Sequence, residues 1–315
     1  MASINTNIAA MTALKSLNMT NANLEKTQGR ISTGLKVATA EDNAAYWSIA
    51  TTMKSDKSAM ATVKDALGLG AATVDVASTG TNAAIEVAKE IKNKLVAARQ
   101  PGVDRTKIQS EITQLQSQMT NIATQSTFSG ENWLSVDSSA ANYNATKSVV
   151  SSFTRTGGSV SVGTIGVSLS SVKLLDASAT ADGILDTERD ATTGAALGAA
   201  AAGSFKVTTL DISALTDSAT DLATLDGYIK GADASITAMT SSSATLGSAK
   251  QRINLQKDFV GALSDAIDRG VSSLIDADMT EESTKLQALQ VQQQLGVQAL
   301  SIANQSSQSI ISLFR

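Results

Sequence analysis

The 315-residue chain has no cysteine, no histidine and a single proline, Pro101, and aromatic residues make up only 3% of it. Without cysteine there are no disulfides, thiolate nucleophiles, iron–sulfur clusters or zinc–thiolate sites. Without histidine the usual general base near neutral pH and the commonest metal ligand are missing. Ser-His-Asp and Cys-His catalysis and every HExxH metal site are thereby excluded. No run of 18 or more apolar residues occurs, so nothing reads as a membrane-spanning helix. Neither sign of charge dominates: 25 basic and 29 acidic residues are interleaved to a net −4, which leaves no footprint for nucleic acid. Met1–Thr6 lacks the basic patch and apolar stretch of a cleavable signal peptide. No cofactor and no metal are expected.

Apolar residues make up 42% of the chain, mostly Ala, Val, Leu and Ile, the residues of helix seams. The length suits two or three domains. Composition divides the chain into helical outer zones and a middle rich in Ser, Thr, Gly, Ala and Asp. The strongest pattern runs from Tyr46 to Ala98, where steps of 3 and 4 meet a polar or glycine position only at Asp56, Gly70 and Thr81. Such a sustained 3.5-residue repeat predicts a coiled-coil helix about 80 Å long. Thr39 to Asp42 offers a capping box at its start, and Pro101-Gly102 stops it. The Tyr46–Trp47 pair at its head reads as a packing anchor. A second helix begins after Asp104 with a seam of Ile108, Ile112, Leu115, Met119 and Ile122. A third runs through Leu246, Ala249, Ile253, Val260, Leu263, Ile267 and Leu274.

Both ends carry weaker stripes. Ile4, Ile8 and Met11 form one; Leu14, Leu17, Leu24, Ile31 and Leu35 form another, with Asn21 and Gln28 in its register and Gly34 as a stop. At the other end Thr280, Glu281 and Glu282 start a helix whose seam is Leu286, Leu289, Gln293, Gly296, Leu300, Ala303, Ser307, Ile310 and Phe314. Polar residues inside these seams make each a poor stand-alone helix, so they gain order by pairing with each other or with other copies of the chain. In the middle, Val160, Val162 and Thr164, then Val167 and Leu169, and later Phe205, Val207 and Thr209 alternate as strands do, and Gly157-Gly158 reads as a turn. Ala191 to Gly203 is low-complexity, a loop or short helix.

The predicted fold is mainly α, a long antiparallel coiled-coil bundle formed by both chain ends with a small inserted β or α+β outer domain. Residues 1–44 and 276–315 form the terminal assembly domain, 45–137 and 241–275 the helical bundle, and 138–240 the inserted variable surface domain. Chemistry is sparse. Gly68-Leu69-Gly70 lies inside a helical seam and has no Lys-Ser/Thr after it, so it is no phosphate loop. Asp186, Glu188 and Asp190 alternate without the turn and closing Glu of a calcium loop.

The ends resemble the bacterial flagellins. Ser3-Ile4-Asn5-Thr6-Asn7, Arg30 to Lys36 and Ala40-Glu41-Asp42-Asn43-Ala44-Ala45 are similar to the N-terminal signature of that family. Ser273 to Asp278, Gln298 to Gln305 and the closing Ser312-Leu313-Phe314-Arg315 are similar to the C-terminal one. The resemblance covers about two-thirds of the chain. It implies a non-enzymatic subunit of the extracellular flagellar filament, exported through the flagellar type III apparatus with an export chaperone. It further implies polymerisation with itself beneath a cap protein, alongside hook-associated proteins, with no nucleic-acid or membrane partner. The polymerisation interface would comprise Ile4, Ile8, Met11, Leu14, Leu17, Leu24, Ile31, Leu286, Leu289, Leu300, Ile310 and Phe314. A hook–filament junction protein and a surface adhesin are the alternatives.

Innate receptors read this family as well. Ile85 to Lys94 falls where many flagellins carry Leu-Gln-Arg-Val-Arg-Glu-Leu-Ala-Val-Gln. Val87 replaces the first Arg and Lys94 the Gln, while Ile91 keeps the apolar step and Glu111 the family's Glu. Losing an interface Arg removes an anchor, which implies weak detection by the animal flagellin receptor. Asn43 and Tyr46 depart from the plant-recognised pattern over Gly29 to Ala50, which implies weak plant recognition.

Overall fold

A computed structural model describes residues 6–178, 181–197 and 200–312, with side chains as far as Gln305 in the last helix. Ile4 and Phe314, and the side chain of Ile310, lie outside the described residues. The chain is mainly α and divides into two compact units, Met1–Ser58 with Leu263–Arg315, and Ala59–Ala262.

In the first unit, helix α1 (Ile8–Thr33) starts where Asn7 Oδ1 accepts the Ala10 N–H at 3.0 Å. It ends at Gly34, whose φ of 72° lets its N–H reach Arg30 O at 2.8 Å, the expected left-handed stop. Helix α2 (Ala44–Ala98) also begins here. Its cap is Asn43, whose Oδ1 accepts the Tyr46 N–H at 3.1 Å, and not the Thr39 box. Asp42, the acidic end of that box, instead turns back onto the Ala38 and Thr39 N–H groups and the Lys26 ammonium. Tyr46 and Trp47 are exposed rather than anchored, because the turn they occupy buries Ala50. Ala50 packs with Val37, Val271 and Ile275 in a small core. Helix α5 (Met279–Ser312) starts one residue before the expected Thr280: Asp278 Oδ1 caps it by accepting the Thr280 and Glu281 N–H groups. A bridge between Leu35 and Asp276, with Ala277 N–H on Gly34 O at 2.8 Å, ties the two chain ends at the base of this helix pair.

In the second unit the α2 seam is buried from Met60 through Val63, Leu67, Val74, Ala77, Thr81, Ala84, Ala88, Ile91, Leu95 and Ala98. Helix α3 (Arg105–Gln125) is capped by Asp104 as expected. The last helix of this unit, α4 (Ala219–Ile275), begins well inside the Ser/Thr/Gly-rich stretch. Its early seam, Leu225, Ala232, Ser235, Met239 and Ser242, is buried yet half small or polar, which hides it from a hydrophobicity count. Polar pairs join α2, and Arg99 just past its end, to α4: Asp75 with Lys250, Asn82 with Ser243, Lys92 with Asp233, and Arg99 with Asp226. Steps of 7, 10 and 7 residues up α2 match the same steps back down α4, so the two run antiparallel in a single register.

Between α3 and α4 lie β1 (Thr127–Phe128), β2 (Glu131–Asn132), β3 (Ser135–Val136), β4 (Thr146–Thr156), β5 (Ser159–Ser168), β6 (Leu175–Asp176), β7 (Arg189–Asp190) and β8 (Ser204–Phe205). Only β4 and β5 are long, an antiparallel hairpin whose turn residues Gly157 and Gly158 both have positive φ. Its base rests on α2, where Gly70 is required: a methyl there would collide with Val149. The expected strand through Val207 and Thr209 is absent. Residues 207–217 form a strap of turns and loop, several of whose polar backbone groups are taken up by α3. Gln116 donates to Val207 O and Leu210 O, Gln109 bonds Leu210 O and the Ile212 N–H, and Arg105 donates to Leu215 O and Asp217. The described parts of Ala191 to Gly203 are loop and turn; residues 198 and 199 lie outside the described residues.

Candidate assembly surface

The two terminal helices pair along their length in antiparallel sense. Asn7 Nδ2 donates to Ala303 O at 3.0 Å, Gln293 Nε2 to Asn21 Oδ1 at 2.8 Å, and Arg30 to Glu282 Oε1 at 2.8 Å. These contacts sort the predicted stripe residues into two groups. Leu289 is buried, and Leu17, Leu24, Ile31, Leu286 and Leu300 are half-buried. Ile8, Met11 and Leu14 are left bare, at 67%, 64% and 47% exposure.

Sequence periodicity missed a further set on the same helices: Met19, Val291, Leu295, Val297 and Ile302 are all more than half exposed. Val291, Leu295 and Ile302 step by 4 and 7, a second stripe flanking the seam, and that spacing was the available signal. Between the helices runs an open groove of about 670 Å³ floored by small residues, Ala9, Ala13 and Ser16 on α1 and Gly296, Ala299 and Ala303 on α5. Gly296 lies against Leu17, so a glycine is what lets the helices approach there. Bare knobs and a small-residue groove on one helix pair form a surface able to bury more apolar area only against another molecule.

Electrostatics at this pair serve position rather than chemistry. The Lys26 ammonium and the Ala38 and Thr39 N–H groups hold the Asp42 carboxyl below its ordinary range. Among the described residues no cluster of three acidic side chains able to hold a metal occurs, and no helix is long and apolar enough to cross a membrane. Over the segment predicted to contact innate receptors, Ile91 is fully buried and Val87 nearly so. Lys94 and Glu111 are brought together as an ion pair at 2.5 Å, which raises the Lys94 pKa. The structure therefore does not gather the four predicted residues on one accessible patch.

Paired terminal helices, long bundle helices and a small strand-containing insertion define a mainly α protein with helices at both chain ends. Residues 4–139 match the bacterial flagellin N-terminal helical region and residues 229–314 the bacterial flagellin C-terminal helical region. Flagellin C of Rhizobium meliloti (strain 1021) is 50% identical, flagellin A of Rhizobium meliloti 44% and a flagellin of Brucella melitensis biotype 1 42%, each comparison spanning 100% of both chains. The chain belongs to the bacterial flagellin family, as a structural subunit that polymerises with itself into the extracellular flagellar filament.

Proposed function

We propose that the chain enters the filament through the apolar face left bare by α1 and α5. In this reading Ile8, Met11 and Leu14 meet neighbouring copies, with Ile4, Ile310 and Phe314 extending the stripes. Leu17, Leu24, Ile31, Leu286, Leu289 and Leu300 hold the two helices together within each copy. The observation that carries the reading is the crowding of large exposed apolar side chains onto this one helix pair, led by Ile8 and Ile302 at 67% exposure. A contact between unlike faces does not close on itself and so propagates as a helical polymer.

The cap protein, hook-associated proteins and an export chaperone are the further partners proposed, with secretion through the type III apparatus. A chain without disulfides and with one proline suits folding after export, because neither redox help nor slow proline isomerisation is needed. Detection by animal receptors is proposed to be weak: burial of Val87 and Ile91 and mutual neutralisation of Lys94 and Glu111 support this.

The test is electron microscopy of purified chain incubated with short filament seeds. Full-length protein is expected to elongate them, whereas a variant lacking residues 281–315 remains a soluble monomer. Normal filaments from the truncated chain would overturn the assignment of the interface. Robust receptor activation by purified monomer would overturn the weak-detection reading.

A further inference from the structure

Resting on the reading that α1 meets neighbouring copies, we propose that Met11 and Met19 form a paired oxidation site through which peroxides halt assembly of the unpolymerised chain.

The described methionines divide by what water reaches. Met60, Met119 and Met239 are buried, whereas Met11 and Met19 are 64% and 60% exposed. Oxidation of a thioether follows its exposure. Both residues line an open groove of about 460 Å³ on α1, with Leu14, Lys15, Asn18 and Ala22. No lining residue comes from α5, so the pairing of the terminal helices does not cover them. A thiolate would compete for the oxidant, and the chain has no cysteine. Ile8 and Leu14 show that aliphatic side chains serve in the same bare stripe; the two thioethers add a chemistry those residues lack.

Lys15 gives the pair a third member. It stands four residues from each methionine, between them on one helix face, and is the only charged residue from Ile8 to Leu24. A thioether is a weak hydrogen-bond acceptor, and its sulfoxide is polar. An ammonium at that spacing can donate to either sulfoxide oxygen, which favours the solvated face over the buried contact.

At each residue hydrogen peroxide transfers one oxygen atom. The sulfur attacks a peroxide oxygen, the O–O bond breaks, an S–O bond forms, the sulfur is oxidised by two electrons and the other oxygen leaves as water. The flexible apolar side chain thereby becomes polar, and burying it against a second copy costs its hydration. The step is reversible: with a methionine sulfoxide reductase, a dithiol is oxidised to its disulfide and the sulfoxide oxygen departs as water. Burial within the polymer shields both residues, so the site senses oxidant only before assembly.

The experiment treats unpolymerised chain and finished filaments with the same dose of hydrogen peroxide, maps added oxygen by mass spectrometry, and then measures elongation of filament seeds. In the unpolymerised chain Met11 and Met19 are expected to oxidise at least about tenfold faster than Met119 and Met239, and in filaments to be protected about tenfold. Oxidised chain is expected to elongate seeds about tenfold more slowly, and sulfoxide reductase with a dithiol to restore the rate to within about twofold. Met11→Leu with Met19→Leu is compared with itself, and its rate should change less than about twofold on peroxide treatment. Met279→Leu, which removes a thioether 46% exposed in the first turn of α5, should stay peroxide-sensitive. Untreated wild-type chain that fails to elongate seeds would refute the polymerisation reading itself. Equally fast oxidation of Met11 and Met19 in filaments would overturn their shielding, and with it the placing of Met11 at the contact. Fully oxidised chain that elongates normally, or a double leucine variant slowed by peroxide as much as wild type, would overturn the switch.

Discussion

Gln293 on α5 donates a 2.8 Å hydrogen bond from Nε2 to Oδ1 of Asn21 on α1. The two residues interrupt otherwise apolar stripes at opposite ends of the chain, and each finds its partner in the other's interruption. An exposed polar pair beside a helix seam contributes little stability but marks the register, because any slip separates the two amides. Arg30 with Glu282 and Asn7 with Ala303 continue the same register.

That register is testable by cross-linking. A Cβ placed on Gly296 would lie 3.8 Å from Leu17 Cβ, the separation typical of a disulfide. With no native cysteine to compete, Leu17→Cys with Gly296→Cys is expected to close one intramolecular bond on mild oxidation, seen as a mobility shift on non-reducing gels. A seam slipped by one heptad gives no shift.

Arg30→Ala should destabilise the terminal pair by about 2 kcal/mol, because Glu282 stays buried without its cation. Replacing both by apolar residues, Arg30→Met with Glu282→Leu, should recover most of that loss. Hydrogen exchange of α1 amides reads the difference, and equal protection in the single variant and wild type contradicts it.

Gly70→Ala improves the local helix propensity of α2 but drives a methyl into Val149 at the base of the hairpin. Overpacking costs about 1–3 kcal/mol against about 1 kcal/mol of propensity gained. The expected result is a lower unfolding midpoint, and Val149→Ala added to Gly70→Ala should restore part of it.

Two carboxylates of the insertion respond to acid in opposite ways. Burial alone would raise the pKa of Asp176, but the Lys173 ammonium at 2.5 Å and the Ser138 and Ser178 N–H groups outweigh it and hold the carboxyl well below its usual 3.8. Its stabilisation is full above that value and fades as the pH falls through the lower folded pKa. Asp176→Asn should therefore cost about 3 kcal/mol near neutral pH, leaving Lys173 buried and unpaired, and progressively less in acid. For Asp186 burial raises the pKa, and one carboxylate oxygen has no hydrogen-bond partner. Its contribution is full below 3.8 and is lost as the pH rises through the folded pKa, so Asp186→Asn should raise the thermal midpoint near neutral pH and leave it unchanged in acid. Midpoints measured across pH 2–8 check both signs.

Local pattern alone determined the long α2 and α3 helices, the Asp104 cap, the Gly34 stop, the Gly157-Gly158 turn and the striped ends, because period 3.6, period 2 and positive φ are properties of neighbouring residues. The same absence of histidine and cysteine excluded most catalysis before any fold was known. Tertiary structure decided the rest. The 219–240 part of α4 was hidden because its seam mixes Leu225 and Met239 with Ala232, Ser235 and Ser242, and those serines become core only where their hydroxyls donate to Ile184 O and Val172 O of the insertion. Asn43 rather than Thr39 caps α2 because Asp42 is held elsewhere by Lys26. The division of the terminal stripes into a paired half and a bare half depends on where α5 meets α1, a contact between residues such as Asn21 and Gln293 that lie 272 positions apart. Periodicity names the residues of a seam, but only the packed partner decides which of them water still reaches.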